Sequence, residues 1–170
     1  FLTIGSNKEM CPNGTVTLNA GGAVSYVWQP AIWLNSATNN VVQASPLSSE
    51  TFTVYGTDVN GCKDTASVYV FVAPQAIINA GEDITLYPGE TAYLNVVGNC
   101  SSFVWTPSFG LNNANIQDPI ATPATTTQYI VNGSTEYGCT AIDTITVTRL
   151  NESNVNSPNA FTPGNGNGPN

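Results

Sequence analysis

The chain of 170 residues sets eleven carboxylates against three cations, Lys8, Lys63 and Arg149, with no histidine and a formal net charge of −8. So acidic a surface, without a basic patch, repels phosphate backbones and anionic headgroups, which sets aside nucleic acid and membrane surfaces as partners. With no apolar run of signal or membrane-spanning length, direct membrane insertion is not expected, and a chain opening on Phe1 reads as a piece of a longer secreted precursor.

Alternation of apolar and polar residues, broken by turn residues, predicts the strands. Leu2 and Ile4 predict a first edge strand within residues 1–10, and Cys11-Pro12-Asn13-Gly14 a turn. Val16 and Leu18 make a half-buried strand that Gly21-Gly22 breaks, and Ser25 to Gln29 carries Tyr26 and Trp28 on one face. Trp28 is large enough to fill the centre of a two-sheet core. Pro30 lacks the N–H a ladder needs, so residues 31–40 are expected to cross irregularly, anchored by Leu34. Strands follow at Val41 to Ala44 and Thr51 to Thr57, then the hairpin signal Asp58-Val59-Asn60-Gly61, then a long strand from Cys62 to Val72. Ala73-Pro74-Gln75 is a short, proline-stiffened joint.

Beyond that joint the pattern begins again. Val27-Trp28-Gln29-Pro30 recurs as Val104-Trp105-Thr106-Pro107, 77 positions later, and the same shift pairs Pro46 with Pro123, Phe52 with Tyr129, Gly56 with Gly133, Gly61 with Gly138 and Cys62 with Cys139. A register kept through that many residues of special geometry predicts two tandem copies of one domain, over residues 1–73 and 77–149. No stretch has a helical period, so the fold class is all-β, with Trp28 and Trp105 as equivalent core residues. Residues 150–170, rich in Asn, Gly and Pro, form an irregular tail that reads as a linker.

Domains of roughly 75 residues bury only about 60% of their unfolded surface, and a cross-link in each would offset that shortfall. The four cysteines fall two to a repeat, and of three connectivities only Cys11–Cys62 with Cys100–Cys139 lets each copy fold alone. That pairing is the expectation, with an oxidising, extracytoplasmic location; four free thiols are the alternative, and a zinc knuckle is excluded by the spacing and the absence of histidine.

The segments VWQPAIWLN, VWTPSFGLNNANIQDPIATPATTTQYIV and NAGEDITLYPGE, with the closing NGC and YGC turns, resemble the Ig-like, PKD-like repeats of Bacteroidetes surface proteins. That resemblance covers about residues 8–149 and implies two tandem antiparallel β-sandwiches. The tail segment SPNAFTP is similar to the opening of the gliding motility-associated C-terminal domain, the type B sorting signal of the type IX secretion system. Where that family continues with an Asn-Gly-Asp-Gly turn, this chain has Gly164-Asn165-Gly166-Asn167-Gly168. The match implies an outer-membrane-attached, extracellular adhesin stalk, whose partners are neighbouring repeats of the same polypeptide and type IX secretion or surface-attachment proteins, with Pro158, Asn159, Phe161 and Pro163 as sorting-motif contacts.

Catalysis has no footing in these residues: there is no histidine base and no serine elbow, and the carboxylates scatter through turns. No cofactor is expected. Calcium is the one metal with candidate oxygens, Glu82-Asp83 and Asp58 with Asn60, although Asx turns account for the same residues. Trp33, which Gly110 replaces in the second copy, is a candidate ligand contact in a glycan- or protein-binding module, or a cover for the joint to a neighbouring domain. Asp64-Thr65-Ala66 and Asp143-Thr144-Ile145 are similar to the Asp-Thr-apolar acceptor of Bacteroidetes O-glycosylation, which makes Thr65 and Thr144 candidate sites beside the reading as ordinary strand residues.

Overall fold

A computed structural model describes residues 2–151, and among them every regular element is a strand. The first seven are β1 (Thr3–Ile4), β2 (Lys8–Met10), β3 (Val16–Gly21), β4 (Ser25–Gln29), β5 (Val41–Ala44), β6 (Glu50–Thr57) and β7 (Lys63–Val72). The rest are β8 (Ile78–Asn79), β9 (Ile84–Leu86), β10 (Ala92–Tyr93), β11 (Val97–Gly98), β12 (Ser102–Thr106), β13 (Ile120–Ala121), β14 (Thr127–Ser134) and β15 (Thr140–Arg149). The tail positions Pro158, Asn159, Phe161 and Pro163 lie outside the described residues.

Strand β4 pairs with β6, β6 with β7 and β7 with β2, facing a second sheet of order β1-β3-β5. The later strands repeat this with β12-β14-β15-β9, beside the pairs β10-β13 and β8-β11. Both four-stranded sheets depart from the expected antiparallel pattern at one edge, where β2 runs parallel to β7 and β9 parallel to β15. The cause lies at the start of each repeat. Residues 1–10 do not make one edge strand; Gly5-Ser6-Asn7 divides them so that β1 joins one sheet and β2 the other. The Tyr69 N–H donates to Asn7 Oδ1 at 3.0 Å, and 77 residues on the Thr146 N–H donates to Asp83 Oδ1 at 2.8 Å. Each side chain thus replaces a ladder partner where the edge changes hands.

The cores follow from the alternation. Trp28 is 0% and Trp105 1% exposed. Their indole N–H groups donate to Asn39 O at 2.8 Å and Ile116 O at 3.0 Å, so each large ring is buried with its polar atom satisfied. Around Trp28 pack Leu18, Val42, Phe52, Val54, Val68 and Val70. In the later sequence Tyr129, Val131, Ile145 and Val147 are buried 77 positions after Phe52, Val54, Val68 and Val70, and Leu94 and Val96 are buried as well. The crossing segments bridge through Leu34 to Ala44 and through Leu111 to Ala121. The strand expected at Val41 to Ala44 forms in full as β5, and its counterpart 77 residues later is only the two-residue β13.

Two compact units emerge. The first holds residues 2–78, 98–102 and 132–141; the second holds residues 79–97, 103–131 and 142–151.

Candidate functional site

Within the first unit the chemistry gathers at two cysteines. Cys11 opens a turn in which the Gly14 N–H donates to Cys11 O at 3.0 Å and Asn13 takes the left-handed φ of 61° that Asn tolerates. Cys139 closes the hairpin between β14 and β15: the Thr135 N–H donates to Cys139 O at 2.9 Å, the Cys139 N–H to Thr135 Oγ1 at 3.2 Å, and Gly138 at φ 76° supplies the left-handed corner. Cys11 and Cys139 form a disulfide with Cα atoms 5.5 Å apart and 128 residues of separation. Ala73 and Ala76 are buried against it, and the Phe71 and Tyr137 rings meet at 5.4 Å, tilted by 58°.

The expected pairing of Cys11 with Cys62 is therefore overturned, and strand geometry gives the reason. Met10 lies opposite Val72 at the far end of β7, whereas Cys62 precedes the first residue of that strand. At about 3.3 Å per residue the strand separates the two sites by roughly 30 Å, several times the Cα span a disulfide permits. Cys62 sits in the turn, exposed and free.

The expected Cys100–Cys139 bond is also absent. Cys100 stands in register with Ala23, a position that faces a glycine on the neighbouring strand, Gly133 in one copy and Gly56 in the other. A Cβ on Gly133 would lie 2.7 Å from Cys100 Sγ and 2.8 Å from Ile78 Cδ1, so the thiol fills the space the glycine leaves. Its Sγ–H points to Ile77 O at 3.7 Å, and burial pushes the Cys100 thiol above its ordinary value. Nothing in the sequence distinguished such a packing cysteine from a bonded one except its register with Ala23.

The difference between Trp33 and Gly110 also has a packing account. Trp33 is half-buried and lies on the core cluster around Trp28. At Gly110, φ is 75° and a Cβ would come within 2.8 Å of the Tyr129 hydroxyl, which donates to Phe109 O at 3.0 Å. Phe52, the equivalent of Tyr129, has no hydroxyl, and the loop around it carries the larger side chain. The large apolar side chain that this loop exposes is Ile32, at 77%, matched by Phe109 at 61%.

Thr65 and Thr144 are both exposed on their strands. Asp64 beside Thr65 accepts from the Leu2 N–H at 3.0 Å and the Thr65 N–H at 2.8 Å, and these bonds, Leu2's first, hold its carboxyl below the ordinary value. Asp143 likewise accepts from the Ala80 N–H at 2.8 Å. Of the oxygens considered for calcium, Asp58 Oδ1 accepts from the Asn60 and Cys62 N–H groups at 2.8 Å each, and Asp83 Oδ1 from the Thr146 N–H. Among the described residues no three His, Cys, Asp or Glu side chains converge as a metal site.

One face remains open to solvent. On the outer side of the β2-β7-β6-β4 sheet, Val27 lies opposite Tyr55 and Tyr55 opposite Thr65, while Tyr69 lies opposite Thr51. Val27, Tyr55 and Tyr69 are 48%, 45% and 42% exposed, and the row between them is polar, with Thr53 Oγ1 and Ser67 Oγ 3.0 Å apart.

Neither a protein-family model nor a curated protein sequence matches the chain. Solved structures do. A 282-residue C-terminal fragment of intimin, determined with the intimin-binding domain of the translocated intimin receptor, superposes with a TM-score of 0.52 at 15% identity, over 88% of this chain and 63% of that one. The two immunoglobulin domains of DIP-gamma give 0.47 at 12% identity, over 88% and 98%. The fibronectin(III)-like modules of CbhA from Clostridium thermocellum give 0.42 at 8%, over 88% and 95%. With its two four-stranded sheets, the chain is an all-β protein of the Ig-like sandwich class.

Proposed function

We propose that the chain is a non-catalytic stalk region of a large secreted cell-surface adhesin, linked to gliding motility and exported by the type IX system. The observation that carries the mechanical part is the connectivity of the disulfide. Tension applied at the two ends reaches Cys11, crosses the S–S bond to Cys139 and leaves by β15, so the intervening chain, a sequence separation of 128, is shielded from load. Fully extended it would span roughly 420–460 Å, a length the bond withholds from unravelling. A spacer that must hold a distal binding region at a set distance gains from such a shortcut. The surface-protein context rests on the sequence resemblance, the disulfide favours an oxidising, extracellular setting, and exposed Thr65 and Thr144 are compatible with surface glycosylation.

Single-molecule stretching between the termini tests the mechanism. The contour length released on unfolding should rise by roughly 420–460 Å when a reductant is added. Equal lengths with and without reductant would sink the proposal. A binding role is the second reading, favoured by the Val27, Tyr55 and Tyr69 face. It predicts that Tyr55→Ala abolishes retention on a glycan or protein ligand array without changing the fold; the absence of any retention by the wild-type chain would remove it.

A further inference from the structure

Cys139 has a register equivalent, Cys62, 77 residues earlier. The two hairpins are built alike. The Asp58 N–H donates to Cys62 O at 2.9 Å, as Thr135 does to Cys139, and Gly61 takes φ 79° where Gly138 takes 76°. The cysteine N–H is held in both by the side-chain oxygen four residues back, Asp58 Oδ1 at 2.8 Å and Thr135 Oγ1 at 3.2 Å.

What rests on them differs. Cys139 is 4% exposed, bonded to the turn cysteine Cys11 and packed with Ala73 and Ala76. The Cys62 thiol is exposed, and Val59 beside it is 80% exposed. A recess of about 220 Å³ opens next to it, lined by Leu2, Ala23, Gly56 and Asp64 among others. One hairpin of this design is occupied by a cysteine-bearing turn; the other presents the same thiol on the same backbone, with no cysteine-bearing turn against it among the described residues.

We infer that the Cys62 hairpin is a docking point for another β-sandwich domain bearing a turn cysteine of the Met10-Cys11-Pro12-Asn13-Gly14 type, and that Cys62 forms a disulfide with it. The inference rests on the stalk reading, which it extends from one cross-link to a series. A second copy of this chain is not the occupant, because its own Cys11 is already bonded to Cys139. In the bond-forming step Cys62 Sγ–H and the partner thiol give up two protons and two electrons. A small-molecule disulfide such as oxidised glutathione takes them up as its S–S bond breaks into two thiols.

The test is a chain with residues 1–76 duplicated ahead of the full sequence, folded in oxidised and reduced glutathione and mapped by mass spectrometry without reduction. The expected map holds two cross-links, Cys11–Cys139 and the added copy's Cys11 to Cys62, and iodoacetamide labelling of Cys62 falls at least tenfold relative to the unextended chain. If Cys11–Cys139 forms while Cys62 is labelled as readily as before, the docking inference is overturned and the stalk reading stands. If Cys11–Cys139 itself is missing from the unextended chain, the stalk reading falls with it. A Cys62→Ser variant of the extended chain serves as control: it should keep Cys11–Cys139 and leave the added Cys11 open to labelling, whereas a bond from that cysteine to Cys100 would count against the proposal.

Discussion

Removing the cross-link by Cys11→Ser with Cys139→Ser should cost this protein about 5 kcal/mol of stability. The figure follows from the structure: a bond closing a loop of 128 residues takes that much conformational freedom from the fully unfolded chain at 25 °C on the chain-entropy account. With an m value of about 2 kcal/mol/M, the urea midpoint should fall by roughly 2 M, and m should rise because the unlinked unfolded chain exposes more surface. Equilibrium urea denaturation followed by tryptophan fluorescence reads this directly, since Trp28 and Trp105 are both buried. Identical midpoints for the double variant and the wild-type protein would refute the reasoning. A non-reducing peptide map finding Cys11 joined to Cys62 would refute it at an earlier step, because it would contradict the parallel register of Met10 with Val72.

Other substitutions test the packing. Trp28→Ala or Trp105→Ala should each cost about 3–5 kcal/mol, measured by the same denaturation, and a loss under 1 kcal/mol would contradict their central burial. Gly133→Ala forces a methyl against Cys100 and Ile78 and should cost about 1–3 kcal/mol; a neutral result would show that the strands can separate there. In native protein Cys62 should alkylate much faster than Cys100, whose thiol burial pushes up and so keeps protonated at neutral pH; equal rates would contradict that environment. Asp64, held below its ordinary value of 3.8 by the Leu2 and Thr65 N–H groups, contributes stability that is present above that value and lost as pH falls through the lowered one. Asp64→Asn should therefore flatten the acid side of the stability profile, and an unchanged profile would remove Asp64 as a contributor.

The sandwich class was legible because its signals are local: Trp28 and Trp105 mark buried strands by size and alternation, and Asp58 to Gly61 marks a hairpin by the left-handed glycine it needs. The parallel edges were not. Lys8–Met10 is three residues long, too short for any period to show, and the Asn7 and Asp83 side chains that divert the edge look like ordinary turn formers. That one omission carried the disulfide with it, because only the direction of β2 against β7 decides which end of the long strand Cys11 meets. Cys100 misled for a different reason: a cysteine facing a glycine across a sheet packs as a small apolar residue, and spacing says nothing about which of the two roles a thiol has.

The differences between the two copies divide into those that compensate one another and those that do not. Trp33 with Phe52 in one copy becomes Gly110 with Tyr129 in the other, the hydroxyl taking the space the side chain gives up. Ala23 becomes Cys100 beside a glycine retained in both. Each of these exchanges is matched by a change in a side chain it touches or by a glycine already there. The hairpin exchange does not close. Asn60 becomes Tyr137, which lies against Phe71, and exposed Asp64 becomes Ala141, which packs against the disulfide cluster, while the cysteine between them stays fixed. Substitutions that keep the thiol and the backbone turn but change the polarity around them alter what the hairpin can receive. The exposed Cys62 thiol belongs to neither core cluster, so the asymmetry of the hairpins, more than the tryptophan-proline signature the copies share, is where function is to be sought.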